Sequence, residues 1–465
     1  MRRFWLPHGA ARTFSNSCTL RNSCMRSYTQ LFRTPEFKLS RIALPELEPQ
    51  DEIWTGQLPG QRLFADSREP GHGPHPLFPA DVVDTRRMAW LETCLQSSTC
   101  RYMICWVPSR CGHSCDGTHG KVSMLQVERA FDHALCRTPL RRISLSLRGR
   151  TARFGLKMEE HGVTGSVKAR TAVGLLRELH RQAPLAPGTV VVESTSGNLG
   201  LAMAHILPSI DCVFLAVVDL KTPHSTRREL LERGARVIVV DEPDGQGGYL
   251  LRRLDTVRRI LAEHPEYRWP NQYENPASPR VHEHSTGPEI ADQAGPELSA
   301  AYAPVSTGGT LAGIAAHLRE HRPDVRCVAV DVTGSVAIGG SAGRRLIPGI
   351  GASRRSAFLR DGAYDHAVHV DDAEAIAVCR ILREDLDVTV GGSTGCVVRA
   401  LLADLATEAA GGFPVCLAAD GGAKYLDTFY SDDWIKEQGI HENVSEAVDR
   451  LRADGVAFGW GAARK

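Results

Sequence analysis

The stretch that decides the fold reads G-V-T-G-S-V-K-A-R-T at residues 162–171 and V-V-V-E-S-T-S-G-N-L-G at 190–200. Lys168 opens an apolar-periodic helix (Val173, Leu175, Leu176, Leu179). Thr189–Glu193 then forms a short, continuously apolar run that enters a Gly/Ser/Thr/Asn loop and the helix Leu199–Ile206. Such uninterrupted apolar runs belong to strands buried on both faces, inside parallel sheets. The dipole at a helix start disfavours a second positive charge, so the Lys168 amine is suited to Schiff-base chemistry. A lone lysine in a first helical turn is ordinarily just solvated. Its neighbours therefore decide how it is read.

Outward from this stretch the same grammar repeats. Cys212–Asp219 is the next strand, Ser225 is expected to cap a helix that ends at Gly234, and Ala235–Val240 returns as a strand. N-Q-Y-E-N-P (271–276) reads as a linker. Beyond it, Tyr302–Val305, Arg326–Asp331 and Val415–Ala419 are further strands. The expected fold class is α/β, with two parallel-sheet domains. Two more loops stand between a strand and a helix: S-T-G-G-T-L-A-G (306–313), before the helix Leu311–Glu320, and G-G-S-T-G-C (391–396). In such folds ligands bind at the carboxyl ends of the strands, so the loops are expected to converge on one cleft between the domains. The pair Gly308–Gly309 lets successive N–H groups form an anion nest at a helix N-terminus.

Composition narrows the function classes. The chain has 465 residues, with 55 Lys and Arg against 54 Asp and Glu. No basic stripe suggests nucleic acid, and no apolar run approaches the roughly 18 residues of a membrane span. Of the 13 cysteines, Cys18, Cys24, Cys94, Cys100, Cys105, Cys111 and Cys115 precede residue 116, the last four close to His113. Their spacing does not match paired C-x-x-C zinc ligands, so no metal is expected, and an odd total argues against a secreted disulfide framework. Reduced thiols and a cytoplasmic setting are the expectation. Residues 1–123 show no sustained helical or strand period. Their first 35 residues carry no acidic side chain, as a transit peptide would. The preferred reading is a misassigned start or a dispensable extension, with the periodic pattern beginning at Met124.

The four loops in their order resemble the cysteine synthase and cystathionine beta-synthase branch of the fold-type II pyridoxal-phosphate enzymes, from about Cys136 to Trp434. The resemblance implies a pyridoxal 5'-phosphate cofactor linked to Lys168. Asn198 would meet its ring hydroxyl, Ser306, Thr307, Gly308, Gly309 and Thr310 its phosphate, and Ser393 its pyridine nitrogen. Thr195, Ser196 and Gly197 would receive the carboxylate of an amino-acid substrate. A neutral serine cannot keep the pyridine nitrogen protonated as a carboxylate would, which suits loss of a β-leaving group followed by addition of a nucleophile. Ala169 stands where the family usually has an acid, and Ser353 where glycine is frequent.

The resemblance also implies a homodimer and a catalytic region over 124–440. Within it, about 160–272 would be the smaller substrate-binding domain and 124–159 with 273–440 the larger cofactor-phosphate domain, followed by a tail at 441–465. V-V-D-L-K (217–221), L-I-P-G-I-G-A-S-R (346–354) and K-Y-L-D-T-F-Y-S-D-D-W (424–434) resemble the branch that joins O-phospho-L-serine and L-glutamate on the way to 2,3-diaminopropionate. Plain cysteine synthesis is the alternative. On the helix from Gly248, Arg253 shares a face with Leu250, Val257 and Ile260, while Arg252 lies on the polar side. Arg253 either snorkels at the edge of that face or meets the substrate phosphate, to which Tyr273 would add a hydroxyl.

Overall fold

The computed structural model describes residues 124–245, 248–407 and 411–461. The Cys100–Cys115 group and the remainder of residues 1–123 lie outside them. Helix α1 (Met124–Ala134) leads into a hairpin of β1 (Leu140–Leu147) and β2 (Arg150–Met158), and α2 (Lys168–Gln182) follows. Then β3 (Val190–Ser194), α3 (Asn198–Ile206), β4 (Val213–Asp219), α4 (His224–Glu232), β5 (Arg236–Val240) and α5 (Leu250–Glu263) wind as β-α units. Strands β3, β4 and β5 form a three-stranded sheet, parallel throughout, with Val192 opposite Leu215 and Val217 opposite Ile238. Helices α1, α2 and α3 cover one face through Phe131, Leu175, Leu176 and Met203. Helix α5 covers the other through Val257 and Ile260.

After the turn at 271–276 come α6 (Ala277–Glu283), α7 (Thr286–Ala294), β6 (Leu298–Pro304), α8 (Gly309–His321), β7 (Arg326–Val332), β8 (His366–Val370), α9 (Asp372–Leu386), α10 (Gly392–Ala406) and β9 (Phe413–Ala418). Helices α11 (Asp432–Glu437) and α12 (His441–Ala453) and strand β10 (Ala457–Trp460) complete the described chain. A seven-stranded sheet runs β10-β1-β2-β9-β6-β7-β8. Alternation along β6 sends Ala300 and Tyr302 into the core shared with α9 and α10, and Ala301 and Ala303 into the core shared with α7 and α8.

The α/β class with mainly parallel sheets is therefore observed, with three corrections. Strands β1 and β10 pair antiparallel at one edge, so the larger sheet is mixed. The expected tail 441–465 is built into the fold as far as residue 461: Val444 and Ala447 on α12 are buried, and β10 pairs with β1 from Ile143 opposite Trp460 to Ser146 opposite Ala457. Ser225 does not cap α4. Pro223 occupies that position, and the Ser225 hydroxyl lies inside the first turn, buried without a hydrogen-bond partner.

Candidate active site

The carboxyl ends of β3, β6 and β9 open onto one pocket. Its wall includes Lys168, Thr195, Ser196, Gly197, Asn198, Gln272, Tyr273, Ser306, Pro348, Lys424 and Tyr425. Seven of the thirteen residues singled out in the sequence thus share a wall: Lys168, Thr195, Ser196, Gly197, Asn198, Tyr273 and Ser306.

Lys168 is the first residue of α2, and its turn is sewn to the end of β9, because the Val167 amide donates to the Ala419 carbonyl at 2.8 Å. Loss of hydration brings its ammonium down to about 8, and the Glu193 carboxylate opposes that fall. Nothing local in the sequence marked Glu193. Wholly buried at the end of β3, it accepts from the Ser194 amide (2.8 Å), the Gln272 amide (3.1 Å) and the Trp269 indole (3.2 Å). Burial still pushes its carboxyl up to about 7. Trp269 and the start of the expected linker 271–276 are thereby stitched onto β3, and the Gln272 side chain adds a 2.7 Å bond to the Ser194 carbonyl.

The loop 194–198 is braced from within. The Thr195 hydroxyl oxygen accepts from the amides of Gly197 and Gly200, both at 3.0 Å, and the Thr195 amide donates to the Val217 carbonyl at 2.9 Å. Those amides are spent on the loop itself. What remains to meet a ligand is Ser196, exposed in the pocket, and the Asn198 and Leu199 amides that open α3, which have no partner within their own helix. Gly197 has φ +135°, a conformation that L side chains rarely adopt.

Asn198 is held from across the pocket. Its Nδ2 donates to Asp420 Oδ2 at 2.8 Å, and Lys424 Nζ donates to its Oδ1. Asp420 Oδ2 also receives Lys424 Nζ at 2.9 Å and the Tyr425 hydroxyl at 2.7 Å. The Asp420 carbonyl takes the Gly391 amide at 3.0 Å, and Ser166 bridges to Asp420 through the backbone. Asp420, two residues past the end of β9, therefore ties together the turns that carry Lys168, Asn198 and Ser393. Sequence reasoning passed over Asp420, Lys424 and Glu193.

The remaining expected residues lie behind the wall. Thr307 and Thr310 are buried around the start of α8, where Gly308 has φ +88° and the Thr310 hydroxyl meets His282 Nε2 at 3.3 Å. A Cβ on Gly309 would run into the Ser278 hydroxyl, which is itself buried without a hydrogen-bond partner. Ser393 is buried in the first turn of α10. A left-handed glycine, a second glycine with no room for a side chain, an orphaned hydroxyl and unpaired helix-start amides form a cradle that fits a phosphate. With a desolvated lysine amine across the cleft, the donor set suits pyridoxal phosphate.

Arg253 requires a correction. It sits, as expected, on the buried face of α5 with Leu250, Leu254, Val257 and Ile260, yet it does not line the pocket. Its Nε lies 3.1 Å from Asp219 Oδ2, a carboxylate at the end of β4 as buried as itself. The pair is ionic, since Arg253 Nε and Nη1 are buried without a hydrogen-bond partner, whereas Arg252 is exposed and 3.8 Å from Glu242.

Residues 132–420 match the family model described as pyridoxal-phosphate dependent enzyme. The chain belongs to that family. This pyridoxal-phosphate enzyme is 40% identical over 298 residues to an N-(2-amino-2-carboxyethyl)-L-glutamate synthase from Ralstonia nicotianae, an alignment covering 64% of this chain and 88% of the relative. Among solved structures it resembles an O-acetylserine dependent cystathionine beta-synthase from Helicobacter pylori (26% identity, TM-score 0.58, 64% of this chain and 97% of that one). It also resembles O-ureido-L-serine synthase (28% identity, TM-score 0.58, 64% and 93%). These likenesses place the enzyme in the fold-type II class of the cysteine synthase and cystathionine beta-synthase enzymes. Among the described residues, no helix is long and apolar enough to cross a membrane, no group of three metal-ligating side chains assembles, and all six cysteines are free.

Proposed function

We propose that this enzyme catalyses β-replacement on O-phospho-L-serine with the amine of L-glutamate, giving N-(2-amino-2-carboxyethyl)-L-glutamate and phosphate, a step towards 2,3-diaminopropionate. The observation that carries this reading is the 40% identity to the named synthase across 88% of its length. Pyridoxal phosphate, when bound, withdraws electrons from the Cα of an attached amino acid. The cradle at Ser306–Thr310 would hold its phosphate, Lys168 its aldehyde carbon, and Ser393 its ring nitrogen, where a neutral hydroxyl leaves the ring a weak electron sink.

The chain's own residues then supply binding and proton transfer. Ser196 and the first amides of α3 receive the substrate carboxylate. Lys168, with an amine brought to about 8 by burial, has a neutral fraction near pH 7 that accepts the Cα proton. The Cβ–O bond breaks, and its electron pair leaves with phosphate. The glutamate nitrogen bonds to Cβ and releases its proton, and Lys168 returns a proton to Cα. Residues 160–272 are the proposed substrate-binding domain and 124–159 with 273–440 the cofactor-phosphate domain, in a cytoplasmic homodimer. The six cysteines among the described residues, all free, accord with a reducing compartment.

The test is product analysis by mass spectrometry with O-phosphoserine and either glutamate or sulfide. Phosphate release coupled to N-(2-amino-2-carboxyethyl)-L-glutamate is expected. Cysteine from sulfide, with no reaction towards glutamate, would transfer the assignment to cysteine synthesis.

A further inference from the structure

The cluster around Asn198 fixes more than a position. A side-chain amide can be turned over with little change in shape, so its orientation must come from its partners. Here both partners are unambiguous: an ionised carboxylate only accepts hydrogen bonds, and an ammonium only donates them. Asp420 Oδ2 at 2.8 Å therefore takes an Nδ2 hydrogen, and Lys424 Nζ takes the Oδ1 side. Asp420 is 3% exposed and anchored by Tyr425, and Lys424 is in turn held to Asp420 at 2.9 Å. The Tyr425 hydroxyl also meets this amide, but at 2.7 Å from Asp420 Oδ2 it lies on the same side, so one Nδ2 hydrogen faces that pair and the other is left over. It belongs to a residue of the pocket wall shared with Lys424 and Lys168, and a donor hydrogen beside an ammonium suits an anionic oxygen.

We propose that Asp420 and Lys424 are positioning residues that lock the Asn198 carboxamide so that its second Nδ2 hydrogen, backed by the Lys424 charge, meets the ionised ring hydroxyl of pyridoxal phosphate. Lys424 pairs with the buried Asp420 carboxylate at 2.9 Å and supplies the positive field. Asp420 prevents the amide from turning over and offering its oxygen instead. The inference rests on the assignment of Asn198 to the cofactor, and not on which serine ester or nucleophile the enzyme uses.

The test measures binding to the cofactor-free full-length enzyme of two ligands, pyridoxal phosphate and its 3-deoxy analogue, which lacks the ring hydroxyl. Lys424→Met should weaken pyridoxal phosphate by about tenfold or more and leave the 3-deoxy analogue within about threefold, since a charge-assisted hydrogen bond is lost only with the hydroxyl. Lys424→Arg should keep the wild-type preference. In an Asn198→Ala background, Lys424→Met should cost little more. Asp420→Asn, which can present an N–H to the amide, should also erase the preference, and if it does not fold, the Lys424 series decides alone. Equal losses for both ligands, or fully additive losses with Asn198→Ala, would overturn the proposal. A failure of the glutamate-adding reaction would leave these affinities unchanged and so would be told apart.

Discussion

Glu193 offers the sharpest test of the energetics beneath the pocket. Its carboxyl rises from 4.5 to about 7 through burial, although three donors favour the ionised form. That difference corresponds to about 3 kcal/mol of preference for the neutral acid in the folded state. The sign follows from proton binding: between pH 4.5 and 7 the folded chain holds a proton that the unfolded chain has released. The stabilisation is fully present below 4.5 and is lost as pH rises through about 7. Glu193→Gln cannot titrate. It keeps an oxygen for Ser194 and Trp269 but turns an NH2 towards the Gln272 amide, setting donor against donor at a cost of about 1–3 kcal/mol. Wild type should therefore exceed the variant by about that amount at pH 5, and its advantage should fall by about 2.5 kcal/mol by pH 8, vanishing or changing sign. Urea unfolding of both cofactor-free proteins, followed by tryptophan fluorescence across this range, gives the difference directly. A gap that does not change with pH would refute the buried-acid account.

Other substitutions probe the loops and the corrected arginine. Gly309→Ala pushes a Cβ into Ser278 and should weaken cofactor retention by about 1–3 kcal/mol, as overpacking does; cofactor content after gel filtration reads this, and adding Ser278→Ala should restore part of it. Arg253→Met strands the buried Asp219 carboxylate and should lower stability by about 3–5 kcal/mol. It should depress turnover of O-phosphoserine and O-acetylserine in equal proportion, and a selective loss with the phosphate ester would return Arg253 to the substrate. Protein beginning at Met124 retains every described element, so its melting midpoint and specific activity should match those of the full chain.

Where helix, strand and loop followed one another locally, the sequence was readable. The V-V-V-E-S-T-S-G-N run became β3, its loop and α3 with boundaries shifted by a single residue, and the Ser306–Thr310 loop enters α8 as expected. The β1–β2 hairpin escaped notice because charged side chains interrupt its alternation. Lys157 is wholly buried in β2, and only its bonds to the Thr138 carbonyl (2.7 Å), Glu289 (2.6 Å) and Gln293 (2.9 Å) make that tolerable. The face of α5 was read correctly, but the partner of Arg253 was not, since Asp219 sits on another element. Asp420 and Lys424 reach Asn198 across 222 and 226 residues of chain. No periodicity or spacing carries such contacts, which exist only once the loops after strands of both sheets have been brought together around a pocket.

Two lysines line that pocket, Lys168 and Lys424, and only Lys168 is expected to carry the cofactor. Borohydride reduction of the holoenzyme, followed by proteolysis and mass spectrometry, marks the lysine that carries it. A pyridoxyl group on the peptide containing Lys168, and its disappearance in Lys168→Ala, is the predicted result. A modified Lys424 peptide in the wild-type enzyme would contradict the account.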